Sequence, residues 1–186
     1  MTIRIIGGEL KGRKLVTVRG IKTRPTADRV RESIFNIIGA GVRGALVLDL
    51  FAGTGAMGLE ALSRGAESVV FVDNDKTALT ALAKNIKMCS LENRADIIKW
   101  NILKNLNIIC SFPAAFNLVF IDPPYNKNMI QLTLSNLAKS RCLENGARVA
   151  IEHSTREPIS LKDQNFKISD QRRYAKTLVS FLIYMI

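Results

Sequence analysis

The sequence is poor in the residues that build metal centres and disulfide frameworks. It has one histidine and three cysteines in 186 residues. Cys89, Cys110 and Cys142 are odd in number and widely spaced. They suit free thiols in a reducing cytoplasm and fit neither a stapled fold nor a zinc site, so no metal is expected. No apolar run approaches the roughly 20 residues of a membrane span, which excludes an integral membrane protein. The apolar stretch at the N-terminus is too short for a secretion signal. The single tryptophan, Trp100, reads as packing, the cysteines as small core residues, and His153 is not read as a catalytic base. With 47% hydrophobic and 23% charged residues, the chain has the composition of a soluble globular protein and not of a disordered one. Its length suits one domain, residues 1–186, with a sizeable core.

Acidic residues are also scarce. There are 16 Asp and Glu against 27 Lys and Arg, a net charge of +11. The surplus is uneven. Residues 1–44 hold ten basic and three acidic side chains, a net +7, and the remaining 142 residues carry only +4. A small domain with such a concentrated excess points to a polyanionic partner, nucleic acid first. Residues 1–44 therefore read as a basic, RNA-binding extension on a catalytic core of residues 45–186. Arg4, Lys11, Arg13, Arg24, Thr26, Arg29 and Arg31 are the residues expected to meet that partner.

Along the chain, Ile3 to Val18 reads as two short strands punctuated by Gly7, Gly8 and Gly12. Thr26 is placed to N-cap a helix reaching Ile38, with Gly39 as its stop. From Ala45 the pattern alternates. Strands are expected at 45–50, 68–72, 96–100, 116–121 and 147–151, with helices between them, the last over 128–141 with Gly146 after it. Residues 166–173 and 177–185 close the chain as an antiparallel pair. The fold class is thus α/β, a mainly parallel sheet with helices on both faces.

Two turns at strand ends carry the chemistry. After the buried run Ala45–Leu50 comes Gly53-Thr54-Gly55-Ala56-Met57-Gly58, a G-x-G-x-x-G turn. Asp73 follows 20 residues beyond Gly53, where a carboxylate can accept from both ribose hydroxyls of a nucleotide. A dinucleotide would set its pyrophosphate on the helix N-terminus. S-adenosylmethionine carries a sulfonium and an ammonium instead, and Asp49, just before the glycines, suits that positive amino-acid end. In this second reading Asn101 is placed to hydrogen-bond the adenine edge. Ala52, Asn74 and Ile102 complete the cofactor lining.

The second turn, Asp122-Pro123-Pro124-Tyr125, follows Leu118–Ile121. Two prolines stiffen it and remove two N–H donors, so its carbonyls face outward as acceptors. The Asp122 carboxylate and the Pro123 carbonyl can hold both hydrogens of an exocyclic amine and turn its lone pair toward an incoming methyl. Tyr125 offers a face on which a base can stack.

Asp49-Leu50-Phe51-Ala52-Gly53-Thr54-Gly55 together with Asp122-Pro123-Pro124-Tyr125 resembles the S-adenosylmethionine-dependent amino-methyltransferases. The segments Arg4-Ile5-Ile6-Gly7-Gly8, Gly12-Arg13-Lys14-Leu15 and Thr23-Arg24-Pro25-Thr26-Ala27-Asp28-Arg29-Val30-Arg31-Glu32 narrow it to the bacterial 16S ribosomal RNA guanine-N2 methyltransferases of the RsmD type. The resemblance covers nearly the whole chain. It implies a Rossmann-like seven-stranded methyltransferase sheet, mostly parallel with the last strand antiparallel, behind a short basic N-terminal hairpin and helix. It further implies a cytoplasmic, monomeric enzyme acting on a guanine-966-type site of 16S ribosomal RNA, in the small subunit or an assembly intermediate. By match, Asp49, Gly53, Gly55, Gly58 and Asp73 hold the cofactor, Asp122 to Tyr125 hold the guanine amine, and the Arg24-Pro25-Thr26 segment lies between cofactor and RNA. One position departs from the pattern: Asn101 stands where such enzymes often have Asp. The other readings are a nicotinamide oxidoreductase, a DNA adenine or cytosine amino-methyltransferase, and a non-enzymatic RNA-binding module.

Overall fold

A computed structural model describes residues 3–18, 25–161 and 165–186, with the side chains of residues 25–27 outside the description. The alternation read from sequence becomes one seven-stranded sheet. Its strands are β3 (Leu46–Leu50), β4 (Ser68–Asp73), β5 (Ala95–Lys99), β6 (Phe116–Ile121), β7 (Leu143–Ser154), β8 (Phe166–Tyr174) and β9 (Thr177–Tyr184). The order across the sheet is β5-β4-β3-β6-β7-β9-β8. β3 pairs in parallel with β4 and β6, β4 with β5, and β6 with β7, whereas β9 runs antiparallel to both neighbours. The order reverses at β3, so the carboxyl ends of β3 and β6 flank the crevice where such sheets bind ligands.

Parallel strands covered on both faces should be apolar throughout, and these are. One face packs Val47, Val69, Phe71, Leu118 and Phe120 against helices α1 (Pro25–Ile38), α2 (Ala56–Ser63) and α3 (Lys76–Met88). The other packs Leu48, Leu50, Val70, Val72, Val119 and Ile121 against α4 (Met129–Ser140) and the 3-10 turn at Asn107–Ser111. Among the described residues no helix is long and apolar enough to cross a membrane.

The N-terminal strands β1 (Ile3–Arg4) and β2 (Lys14–Leu15) pair antiparallel, as expected. They are knitted into the body of the fold. Glu60 of α2 is fully buried and accepts from Ile6 N–H at 2.7 Å, Gly7 N–H at 2.8 Å and Arg64 Nε at 2.7 Å. Asn85 of α3, also buried, holds Val16 by both its N–H and its carbonyl, at 2.7 and 3.1 Å. Ile5, Leu15, Val30, Ile34 and Phe35 join the same apolar cluster as the sheet.

Two boundaries differ from the sequence reading. α1 starts at Pro25, ahead of Thr26, because proline fits the first helical turn, where its missing N–H costs nothing. β7 starts at Leu143 and runs to Ser154, far beyond 147–151. Gly146, with φ +85°, lies inside the strand instead of ahead of it, and partners on both sides extend the ladder: Leu143 faces Phe116 of β6, and Ser154 faces Thr177 of β9.

Candidate active site

The glycine turn is held by its own acidic residues. Asp49 ends up buried in β3 and accepts from Gly58 N–H at 2.9 Å. Asp73, at the end of β4, accepts from Gly53 N–H at 2.8 Å through one oxygen and from Asp75 N–H at 2.9 Å through the other. Each Asp73 oxygen keeps a second lone pair for a ligand hydroxyl. Burial pushes Asp49 up to about 7, against the pull of the Gly58 N–H and with the help of the Asp73 charge.

The glycines divide their work. Gly55, at φ +85°, and Gly58 are packing glycines. A Cβ would meet Leu82 Cδ1 at 2.3 Å on Gly55 and Phe71 Cε1 at 2.2 Å on Gly58. Gly53, at φ +56°, has only Phe51 O, at 4.0 Å, near such a Cβ, so its outer side is open to a ligand. Phe51 opens the turn at φ +60°, a costly conformation for a bulky residue and one that collects at ligand sites. Open space at Gly53 between two carboxylates suits a cationic, ribose-bearing molecule. The residues present therefore fit S-adenosylmethionine.

The remaining expected cofactor residues spread out from this turn. Ala52 is buried, with its N–H on Val72 O, and Asn74 is exposed. Asn101 is half-buried; its Oδ1 accepts from Leu103 N–H at 3.0 Å, which leaves the amide NH2 to donate. Ile102 lies in the core, where its carbonyl accepts from Asn136. Trp100 packs against the core, with its indole N–H on Asn105 O.

The Asp-Pro-Pro-Tyr turn stands beside it. Asp122 N–H reaches Leu50 O at 3.5 Å, which ties the two strand ends together. Pro123 is buried, while Asp122 and Pro124 face solvent. Asp122 is nevertheless pushed well above the ordinary carboxylate value, first by desolvation against the sheet edge, then by the charges of Glu152 and Asp49. Its open side lets water screen part of that repulsion. Tyr125 is 38% exposed; its hydroxyl donates to Glu152 Oε1 at 2.6 Å and lies 3.2 Å from Thr177 Oγ1. Desolvation and the Glu152 charge push the phenol upward, so it stays a donor. Asn126 N–H donates to Glu157 Oε2 at 2.8 Å and fixes the far side of the turn.

Glu152 is the residue that pattern reading missed. It follows the apolar run of β7 as Asp122 follows that of β6, and that parallel was the available signal. Burial raises it, while the Tyr125 hydroxyl and the Arg31 cation pull it back. His153 is fully buried. Nδ1 lies 2.9 Å from Glu157 O and Nε2 lies 2.8 Å from Ser180 Oγ. With a carbonyl at one nitrogen and a hydroxyl at the other, the ring is structural, and burial lowers its pKa.

The basic residues divide into two sets. Arg4, Lys11, Arg13 and Arg29 are exposed. Arg31 is not a surface grip. It is 5% exposed, paired with Asp28 at 3.0 Å, bonded to Arg4 O at 2.7 Å and 3.9 Å from Glu60. Helix periodicity turns its side chain inward, where the buried Glu60 provides the counter-charge. Arg24 and the side chain of Thr26 lie outside the described residues. A cavity of about 630 Å³ opens between Val16–Val18 and α3, with Lys76 and Lys84 on its wall. Cys110 is exposed and not a core residue; its thiol and that of Cys142 both reach Ser140 O.

Known proteins show the same arrangement of chain. A family described as "Conserved hypothetical protein 95" matches residues 3–183. YlbH of Bacillus subtilis (strain 168) is 39% identical over 151 residues, 81% of this chain and 82% of that one. The "Ribosomal RNA small subunit methyltransferase D" of Haemophilus influenzae is 34% identical over 184 residues, covering 98% of this chain and 93% of its own. Among solved structures, yhhF from Escherichia coli superposes with a TM-score of 0.87 at 30% identity, over 100% of this chain and 99% of that chain.

Proposed function

The chain belongs to the Conserved hypothetical protein 95 family, and from that premise we propose that it methylates the exocyclic N2 of one guanine in 16S ribosomal RNA of the small subunit, with S-adenosylmethionine as methyl donor. The observation that carries this reading is the juxtaposition at one sheet edge: an open, acid-flanked glycine turn after β3 beside an acceptor-lined proline turn after β6. The printed name of the Haemophilus influenzae relative supplies the ribosomal substrate. A nicotinamide oxidoreductase would leave the proline turn without a task and would set a pyrophosphate near two carboxylates.

Bound S-adenosylmethionine supplies an electrophilic methyl group on a sulfonium. The chain does the rest by position and charge. Asp49, when ionised, attracts the donor's ammonium, and the free lone pairs of Asp73 take its ribose hydroxyls. The amide of Asn101 reaches the adenine edge. Asp122 and the Pro123 carbonyl accept the two amine hydrogens, which aims the nitrogen lone pair at the methyl. Asp122 is basic for a carboxylate because of desolvation and then its acidic neighbours, so it can take the proton released once nitrogen has been alkylated. Tyr125, fixed through its hydroxyl, presents its ring to a base drawn out of the RNA stack, which offsets part of the few kcal/mol that extrusion costs. Arg4, Lys11, Arg13 and Arg29 meet phosphates, in the cytoplasm, with the protein acting as a monomer.

Ribosomal RNA from cells lacking the protein should lose one N2-methylguanine in the small-subunit RNA, and purified protein should restore it with labelled donor. A full complement of small-subunit methylguanines in the deleted strain overturns the reading.

A further inference from the structure

We propose that Glu152 is the specificity residue of this site, accepting the ring N1–H of the target base and so admitting guanine while rejecting adenine. The inference rests on the reading of Asp122 and the Pro123 carbonyl as holders of an exocyclic amine. Those two groups cannot choose between bases, because guanine and adenine both present an amine with two hydrogens. The atoms beside the amine do differ. Guanine carries a donor at N1, and adenine carries a lone pair there. Discrimination therefore needs an acceptor next to the amine holder.

Glu152 occupies that place. In the parallel pair β6–β7, Ile121 lies opposite Ile151, so Asp122, just past β6, stands beside Glu152 of β7 at the carboxyl edge. The two are coupled electrostatically, since among charges Glu152 raises Asp122 most. Glu152 Oε1 holds the Tyr125 hydroxyl at 2.6 Å, which joins the carboxylate to the ring offered for stacking. Oε2 has no partner among the described residues. Burial raises Glu152, and the Tyr125 hydroxyl and the Arg31 cation offset part of that; Arg31 is itself fixed by Asp28 and the Arg4 carbonyl. A carboxylate oxygen in a half-buried corner is stabilised by a guanine N1–H and opposed by an adenine lone pair. A polar site left facing the wrong group discriminates strongly.

The test uses the full-length protein and an RNA fragment containing the guanine that the wild type methylates. A second fragment carries 2-aminopurine there, which keeps the N2 amine and turns N1 into an acceptor. The wild type should prefer guanine by about 10²-fold in kcat/KM. Glu152→Gln keeps an acceptor for Tyr125 and puts an NH2 on the other arm. It should shrink the preference to within a few-fold, with donor affinity unchanged. Comparing the two preferences cancels any intrinsic difference in amine reactivity. Glu152→Asp, which restores a carboxylate, should keep the preference at a lower rate. A wild type that uses both fragments equally, or a Glu152→Gln that slows both in proportion, overturns the inference and leaves the functional reading standing. A wild type that methylates no guanine in ribosomal RNA overturns both.

Discussion

The glycine turn after β3 engages its acids with its own backbone, whereas the proline turn after β6 crowds its acids against one another. Asp73 gives both oxygens to backbone N–H groups and Asp49 gives one. Asp122 is instead raised by desolvation and by the charge of Glu152, whose own burial is relieved by one tyrosine hydroxyl and by Arg31. The first turn keeps its shape without a ligand. The second has acceptors in excess, and a base edge rich in N–H donors is what that excess suits. Two turns on adjacent strands of one sheet thus differ, one closed on its own backbone and the other left with acceptors to spare.

Glu60 is the reference case of a buried acid with every need met, and removing it should have the largest effect. Glu60→Ala strands Arg64 and two backbone N–H groups, at about 3–5 kcal/mol of stability, readable by denaturant unfolding. A loss under 1 kcal/mol would mean that the N-terminal strands are not anchored there. Asp122→Ala comes next, with kcat down about 10²–10³-fold and donor affinity kept; near-normal kcat would make the two turns equivalent. Asp49 sharpens the contrast through pH. Its carboxyl sits at about 7, so donor affinity should weaken by up to about tenfold per pH unit below that value and level off above it. Because this folded-state value is raised from 3.8, its ionisation costs stability, which falls as pH climbs from about 4 to about 7. Asp49→Asn should accordingly raise Tm by several degrees at pH 8 while weakening and flattening donor binding. A variant that binds the donor normally at every pH would remove Asp49 from the seat. Tyr125→Phe is the mildest change. It keeps the ring and loses about 1 kcal/mol of hydrogen bond, so kcat/KM should fall several-fold, in steady-state assays on RNA.

The element order, the sheet and both turns were legible because each depends on neighbours in sequence: apolar runs, glycine spacing, two prolines. Arg31, Glu60, Asn85 and Glu152 were not legible as a set. Glu60 meets Gly7 across 53 positions and Asn85 meets Val16 across 69, and periodicity cannot say that a charge on a helix points inward to a partner so distant. A lone acid inside the apolar stretch Met57–Leu62 was the trace that Glu60 left. The same limit explains Arg31, counted among the RNA-facing cations although its guanidinium lies inside. Gly146 misled for the opposite reason, since a glycine with positive φ serves a strand irregularity as readily as a helix end.

The clamp at Glu60 also decides whether this protein is modular. A chain cut before Ala45 would lose the amides that solvate Glu60 and the more distant of the two guanidinium groups near it, and would lay bare the apolar wall that Val30, Ile34 and Phe35 now cover. The basic arm is therefore no detachable adaptor. Trimming it away would leave one face of the sheet without part of its cover.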